Sequence, residues 1–105
     1  MIRAVLTVED GIITGFSLSG HADFAEQGSD IVCAAVSSAA YIAANTVTDV
    51  QNLPCSVTAD DGYMEMHLSK QEAEQAQVIL NGLLLHLDAL CKEYPAFINL
   101  KISEV

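Results

Sequence analysis

Five stretches of alternating apolar and polar residues predict five β-strands, at residues 2–8, 12–19, 55–59, 63–68 and 96–102. The first and second strands are separated by Asp10-Gly11, and the third and fourth by Asp61-Gly62. Asp-Gly favours a tight hairpin turn because it tolerates the positive φ angles that such turns require. The sequence therefore predicts two β-hairpins and a single final strand.

Two further segments have the composition of helices. Residues 31–50 are rich in alanine and apolar nearly all round, and either Ser29 or Asp30 is expected to cap this helix by accepting hydrogen bonds from backbone N–H groups. A helix so short of charge is expected to be covered on most faces, by the sheet, the second helix or another subunit. The capping box Ser69-Lys70-Gln71-Glu72 predicts an amphipathic helix that ends at Tyr94-Pro95.

The element order is therefore ββαββαβ, which predicts an α+β fold with a single mixed β-sheet and two helices packed over the sheet. A length of 105 residues suffices for one domain with one core, and we place that domain at residues 1–105. The sequence has no uninterrupted apolar run near the roughly 20 residues that span a bilayer, and its N-terminus lacks a signal-peptide pattern. We therefore expect a cytoplasmic protein without a membrane partner.

The charge of the chain restricts its partners. The formal net charge is −10, from 14 acidic against 4 basic side chains. Such a surface repels nucleic-acid phosphates, so direct binding to DNA or RNA is not expected. It favours a basic partner such as a peptide rich in lysine and arginine, although charge of this size also serves solubility alone. The three cysteines lack CxxC spacing, which argues against a disulfide framework or a zinc ribbon and is typical of a reducing compartment.

His21 and Cys33 lie at the two ends of one polar loop, between the second strand and the first helix. The helix dipole is expected to lower the pKa of a cysteine in the first helical turn, and a nearby imidazole can take the thiol proton. The pair indicates a thiol nucleophile with a histidine base, and a cysteine buried as a small apolar side chain is the alternative. A metal site at His21, Asp23 and Cys33 is disfavoured because no second local ligand pair is present, so no metal is predicted.

Other residues near this pair have two interpretations each. Asp30 is most simply the helix cap, and it could also orient His21 as the third member of a triad. Ser37 lies one turn beyond Cys33, as either a packed small residue or a donor near the site. The backbone N–H groups of residues 32–34 are the expected oxyanion-hole donors, because a helix start leaves such groups unpaired.

The stretch from Gly20 to Ser37 also carries a family resemblance. Gly20-His21-Ala22, then Gly28, then Asp30-Ile31-Val32-Cys33-Ala34-Ala35-Val36-Ser37 resembles the ribosomal-processing cysteine protease family, Prp. Asp61-Gly62-Tyr63 and Tyr94-Pro95 resemble that family as well, so the likeness extends over nearly the whole chain.

The resemblance implies a role for individual residues. It implies that Cys33 is the nucleophile and His21 the base, and that Gly20, Asp30 and Ser37 occupy supporting positions. It implies no cofactor.

The resemblance also implies a substrate and an assembly. Members of this family remove a short N-terminal extension from a basic ribosomal protein of the large subunit, the twenty-seventh of its series, and cleave after an aromatic residue. The family has been viewed as a homodimer with a mobile active-site loop. A non-enzymatic ribosome-associated binding protein and a redox-sensing thiol protein are the alternatives.

The loop between the two catalytic residues is the expected substrate-binding segment. Asp23 or Glu26 is expected to meet lysine or arginine of the substrate, and Gly28 is a candidate hinge. Phe24 is the only large apolar residue in the loop and has little core to join, so we expect it to cover an apolar side chain of the substrate. The loop is expected to be poorly ordered alone and to close over a bound peptide.

Overall fold

The computed structural model describes residues 1–25 and 30–105. Its strands and helices, in chain order, are β1 (Ile2–Glu9), β2 (Ile12–Ser19), α1 (Ile31–Asn45), β3 (Ser56–Asp60), β4 (Tyr63–His67), α2 (Lys70–Gln75), α3 (Gln77–Glu93) and β5 (Ile98–Glu104). The predicted α+β order is confirmed, with the second helix divided in two.

The five strands form a single mixed sheet with the order β3-β4-β2-β1-β5. The two predicted hairpins are antiparallel pairs, and β2 joins them by pairing antiparallel with β4. The final strand β5 pairs parallel with β1, because the chain reaches it after the crossover through α3. The end of β2 therefore lies beside the start of β4, which places the second hairpin turn next to the residues that follow β2.

The core lies between one face of the sheet and the helices. The largest fully buried side chains are Leu6, Phe16, Val32, Val47, Met66, Leu80, Leu87 and Ile98. The alternation at residues 2–8 predicts one inner face made of Ile2, Ala4, Leu6 and Val8. The first three are buried, whereas Val8, near the end of β1, is only partly buried. The inner residues of the two hairpins and the apolar stripes of the helices thus form one cluster.

The alternation predicted for β2 is interrupted by a β-bulge. The register against β1 shifts between Gly15 and Ile13, so Thr14 is the extra residue. Strict alternation along residues 12–19 predicts Ile12, Phe16 and Leu18 on one face. Phe16 and Leu18 are buried, whereas beyond the bulge Ile13 is buried and Ile12 is only partly buried.

A break at Ala76, where φ is −106°, separates α2 from α3. The first residue of α3, Gln77, faces the bulged part of β2. Its side-chain amide donates to the carbonyl oxygen of Ile13 at 2.8 Å, and its oxygen accepts from the N–H of Ile13 at 3.0 Å. The side chain therefore pairs with backbone groups beside the bulge and joins the helix to the sheet.

The first helix begins and ends as predicted for residues 31–50. Asp30 is its N-cap, and a π-helical turn at Thr46–Val50 continues α1 directly. An 18-residue window of the segment Ile31–Val50 has a mean hydropathy of 1.5, so by length and composition alone this helix could cross a membrane, as the core helix of a folded protein also could. Val32 and Val36 on its inner side are buried, whereas the outer side exposes Tyr41 and Ile42. Within this chain the helix is thus covered on its inner side only.

Candidate active site

Asp30 organises the start of α1. Its Oδ1 accepts hydrogen bonds from the backbone N–H groups of Val32 and Cys33 at 2.9 and 3.0 Å. Its Oδ2 accepts from the N–H of Phe24 at 3.0 Å, so the same buried carboxylate also fixes the preceding loop. Burial opposes ionisation of this carboxyl, but the N–H donors of Cys33, Phe24 and Val32 together hold its pKa below the ordinary value. The predicted cap is confirmed, and no hydrogen bond among the described residues joins Asp30 to His21.

The expected oxyanion-hole donors at the start of α1 are not free, so that prediction is wrong. The N–H groups of Val32 and Cys33 bind the Asp30 side chain, and the N–H of Ala34 donates to the Asp30 carbonyl oxygen at 3.1 Å. These three N–H groups are therefore not available to a substrate.

Cys33 lies in the first turn of α1 and is half-buried. Its Sγ accepts a hydrogen bond from the N–H of Ala22 at 3.2 Å, one residue beyond His21. Burial raises the pKa of the Cys33 thiol; the Ala22 N–H acts in the opposite direction, and the nearby charges of Asp30 and Asp23 raise the pKa further. The predicted lowering of this pKa is therefore wrong: desolvation and two carboxylates outweigh the favourable groups, and the free site favours the neutral thiol.

His21 follows β2 at the point where Gly20 turns the chain out of the sheet. Gly20 has a φ of +89°, and a Cβ at this position would lie 2.4 Å from the carbonyl oxygen of Met1, so only glycine fits. The N–H of Gly20 donates to the carbonyl oxygen of Gly62 at 2.9 Å. The His21 side chain is exposed, and its ring lies against Gly62.

His21 and Cys33 line one cavity of about 450 Å³. Gly20, Asp30 and Ser37 line it as well, so the structure brings together the predicted nucleophile, base and supporting residues. Ser37 is exposed at the cavity wall and is therefore not a packed small residue.

The loop residues divide into three groups. Asp23 lines the cavity, and its carboxylate lies 3.7 Å from the N-terminal amino group of Met1. Phe24 packs edge-on against the rings of Tyr94 and Phe97, with centroid distances of 5.9 and 5.2 Å. The expectation that Phe24 has little core to join is therefore wrong, because these aromatic residues beside β5 provide a partner. Glu26 and Gly28 lie outside the described residues.

The second hairpin contributes to the cavity, which the local sequence does not predict. Asp60, Asp61, Gly62 and Tyr63 line the wall beside His21. The family resemblance at Asp61-Gly62-Tyr63 was a signal, but nothing in the local sequence distinguishes this turn from the first Asp-Gly turn. No group of three or more His, Cys, Asp or Glu side chains in the described ranges 1–25 and 30–105 is arranged to hold a metal ion.

Comparisons with known proteins identify relatives over nearly the full length. The family model described as cysteine protease Prp matches residues 1–99. The ribosomal processing cysteine protease Prp of Staphylococcus aureus strain Mu50 is 32% identical over 103 residues, covering 95% of this chain and 97% of that protein. The protein of the same name from Bacillus subtilis strain 168 is 30% identical over 110 residues, covering 98% and 96%.

A crystal structure of the Staphylococcus aureus Prp in complex with a covalently linked product peptide has the same fold. It matches with a TM-score of 0.90 at 31% identity, covering 98% of this chain and 100% of that one. A cysteine in the first turn of a helix that shares a cavity with a histidine is typical of thiol hydrolases. The chain belongs to the cysteine protease Prp family, and it is a cysteine protease.

Proposed function

We propose that this protease removes the N-terminal extension of a basic large-subunit ribosomal protein, the twenty-seventh of its series, during ribosome maturation. The observation that carries this proposal is the shared cavity of Cys33 and His21 in a chain whose relatives are named ribosomal processing proteases. The family relationship favours this enzyme over a non-enzymatic ribosome-associated binding protein.

In the proposed reaction His21 takes the thiol proton of Cys33, and the thiolate attacks the carbonyl carbon of the scissile peptide bond. The imidazolium then gives its proton to the leaving amine, and water hydrolyses the thioester. A base is needed because burial and the neighbouring carboxylates favour the neutral thiol in the free protein. The relatives named as proteases favour peptide hydrolysis over a redox-sensing role. The covalently linked product peptide of the Staphylococcus aureus relative supports a covalent intermediate here.

The charge of the cavity supports a basic substrate. Asp60, Asp61 and Asp23 line its wall, and the protein as a whole has a net charge of −10. Lysine or arginine side chains of an extension peptide would be attracted to this surface. Ile2, Leu18 and Met64 give another part of the wall an apolar character suited to an aromatic side chain.

The test is incubation with the full-length ribosomal protein, followed by intact-mass measurement. The proposal expects one cleavage that releases the N-terminal extension, with an aromatic residue at the new C-terminus. Cys33→Ala is the matched control and should release nothing. An unchanged mass with the wild-type protease, or the same product from Cys33→Ala, would overturn the proposal.

We also propose that residues 22–29 form the substrate-binding loop. Asp23 lines the cavity, and Phe24 remains 43% exposed while it packs on Tyr94 and Phe97, so part of its ring is free to contact a peptide. Hydrogen exchange of amides 22–29 should slow when a substrate peptide binds. Equal exchange with and without peptide would show that the loop does not close over the substrate.

A cytoplasmic homodimer is the proposed working state. The outer side of the helical layer exposes large apolar side chains, including Ile42 at 63% and Leu85 at 73%. An apolar surface of this kind is typical of subunit contacts. Sedimentation should give a mass twice that of the chain. Ile42→Asp should lower the measured mass to that of the monomer. A monomeric mass for the wild type at micromolar concentration would contradict the dimer.

A further inference from the structure

Gly62, in the turn of the second hairpin, lies directly against the ring of His21. A Cβ built on Gly62 would lie 2.8 Å from Nε2, 3.2 Å from Cε1 and 3.4 Å from Cδ2 of His21. The first distance is shorter than side-chain contacts allow, so any side chain at this position would displace the ring. The position of the imidazole therefore depends on the absence of a side chain at Gly62.

The same residue also holds the backbone that leads to His21. The carbonyl oxygen of Gly62 accepts the N–H of Gly20 at 2.9 Å, and the β2–β4 ladder ends at the neighbouring pair Ser19 and Tyr63. Gly62 thus contacts the chain immediately before His21 through its carbonyl group, and the position that a Cβ of Gly62 would occupy lies against the imidazole.

We propose that Gly62 is a positioning residue for the imidazole of His21, an inference that rests on the proposed role of His21 as the base. The turn of the second hairpin forms the support on which the ring lies, and the missing side chain leaves the ring room to face the cavity that it shares with Cys33. Small displacements of a catalytic group are costly, since about 1 Å reduces turnover by a factor on the order of 100.

The obvious alternative is that Gly62 is required only for the conformation of its turn. Its φ is +69°, a value that glycine adopts freely and at which most other residues are strained, asparagine and aspartate least. Gly11 in the first hairpin separates the two explanations. It follows an aspartate, has a φ of +78°, and a Cβ added there would meet nothing within 4 Å.

The first experiment compares Gly62→Ala with Gly11→Ala. Both variants carry a side chain at a positive φ, so both should lose a similar amount of thermal stability. Only Gly62→Ala should lose cleavage, with kcat reduced on the order of 100-fold and KM little changed. The fold should survive, because the clash is with the end of an exposed side chain that can move away.

Asparagine variants separate the effect of backbone strain at positive φ from the effect of the added side chain. Asparagine tolerates positive φ better than alanine does but still carries a Cβ. Gly62→Asn should therefore be nearly as stable as the wild type and still have a low kcat, and the NMR signals of the His21 ring should shift. Gly11→Asn should retain the wild-type kcat and the wild-type ring signals.

A double-variant measurement separates this inference from the proposed function. If Gly62 acts through His21, Gly62→Ala should cause no further loss when it is added to His21→Ala. Equal kcat values for the Gly62 and Gly11 variants would overturn the positioning role. A full additional loss of kcat from Gly62→Ala in the His21→Ala background would overturn it as well. Neither result would contradict the assignment of His21 and Cys33 as base and nucleophile. Normal cleavage by His21→Ala would overturn the dyad itself, and with it the role of Gly62.

Discussion

Asp10-Gly11 and Asp61-Gly62 both close two-residue hairpins, and their glycines have similar positive φ angles of +78° and +69°. The surroundings of the two turns differ. Gly11 faces open space, and Asp10 pairs with Lys70 at 2.6 Å. Gly62 faces the ring of His21 and is part of the cavity wall. The comparison shows that the Asp-Gly pattern closes both turns, although Asp10 has a positive φ of 51° and Asp61 does not, whereas position in the sheet decides which turn takes part in the site.

The order of strands explains this division. β2 pairs with β4, so the turn that precedes β4 lies where β2 ends and His21 begins. The first turn lies at the opposite end of β2. Substitutions on the second hairpin and its neighbours are therefore expected to affect cleavage, and substitutions on the first to affect stability alone.

The largest effect is expected at Cys33, in the same cavity as the second hairpin. Cys33→Ala should abolish cleavage with the fold intact, because alanine suits a helix and is slightly smaller. Cys33→Ser should also be severely impaired, because a hydroxyl is much less acidic than a thiol. Intact-mass assays give the activity and circular dichroism the fold. Near-native turnover by either variant would show that the nucleophile is another residue.

His21→Ala tests the residue whose ring lies against the second hairpin turn and not against the first. Turnover should fall by about 100- to 10,000-fold, the usual contribution of a general base. Single-turnover assays at high enzyme concentration measure the residual rate. His67→Ala is the control, since His67 pairs with Glu65 on β4 and does not line the cavity. Normal cleavage by His21→Ala would remove the reason to assign a special role to the second hairpin.

Local patterns predicted much of the fold. Alternation identified the inner face of β1, and the Asp-Gly pairs identified both hairpins. The bulge at Thr14 was not predictable, because a single extra residue between Ile13 and Gly15 leaves the composition of the strand unchanged. The break at Ala76 was also missed, since the Gln77 side chain bonds with Ile13 on a distant strand and not within its own helix.

The site was predicted where it depends on local chemistry. The Asp30 cap, the turn at Gly20 and the placement of His21 and Cys33 in the lining of one cavity follow from neighbouring residues. The pKa of Cys33 was predicted in the wrong direction, because burial and the position of two carboxylates are properties of the fold. The contact of Gly62 with His21 depends on sheet order, which a single sequence does not specify.

Asp30 should have a smaller effect that depends on the substituting residue. Asp30→Asn retains most of the helix cap, because asparagine is nearly as good an N-cap as aspartate, whereas Asp30→Ala loses it. Thermal denaturation should therefore rank the wild type and Asp30→Asn above Asp30→Ala. If both variants lose cleavage equally while their stability is unchanged, the charge of Asp30 acts in catalysis and not mainly through the cap.

The charge of Asp30 should also be visible in the pH dependence of Cys33. Its negative charge disfavours the thiolate and raises the pKa of Cys33, so Asp30→Asn should lower that pKa. The midpoint of the iodoacetamide reaction rate, measured between about pH 6 and 11, should move to lower pH. Asp10→Asn removes the same charge at the first hairpin, outside the cavity lining, and should leave the midpoint unchanged. A shift to higher pH in Asp30→Asn would contradict the assigned cause.

The smallest effect is expected at the first hairpin, where Lys70 pairs with Asp10. Both side chains are largely exposed, at 41% and 72%, so the pair should contribute little to stability and less at high salt. Lys70→Ala should lower the melting temperature slightly at low salt, and the difference should shrink in 1 M NaCl. Cleavage should be unchanged, because neither residue lines the cavity. Asp61→Ala is the matched substitution on the second hairpin and should weaken binding of a basic peptide, seen as a higher KM. Lys70→Ala could instead slow cleavage as much as Asp61→Ala does, at equal thermal stability. That result would show that the first hairpin also affects catalysis. Position in the sheet would then not explain which turn takes part in the site.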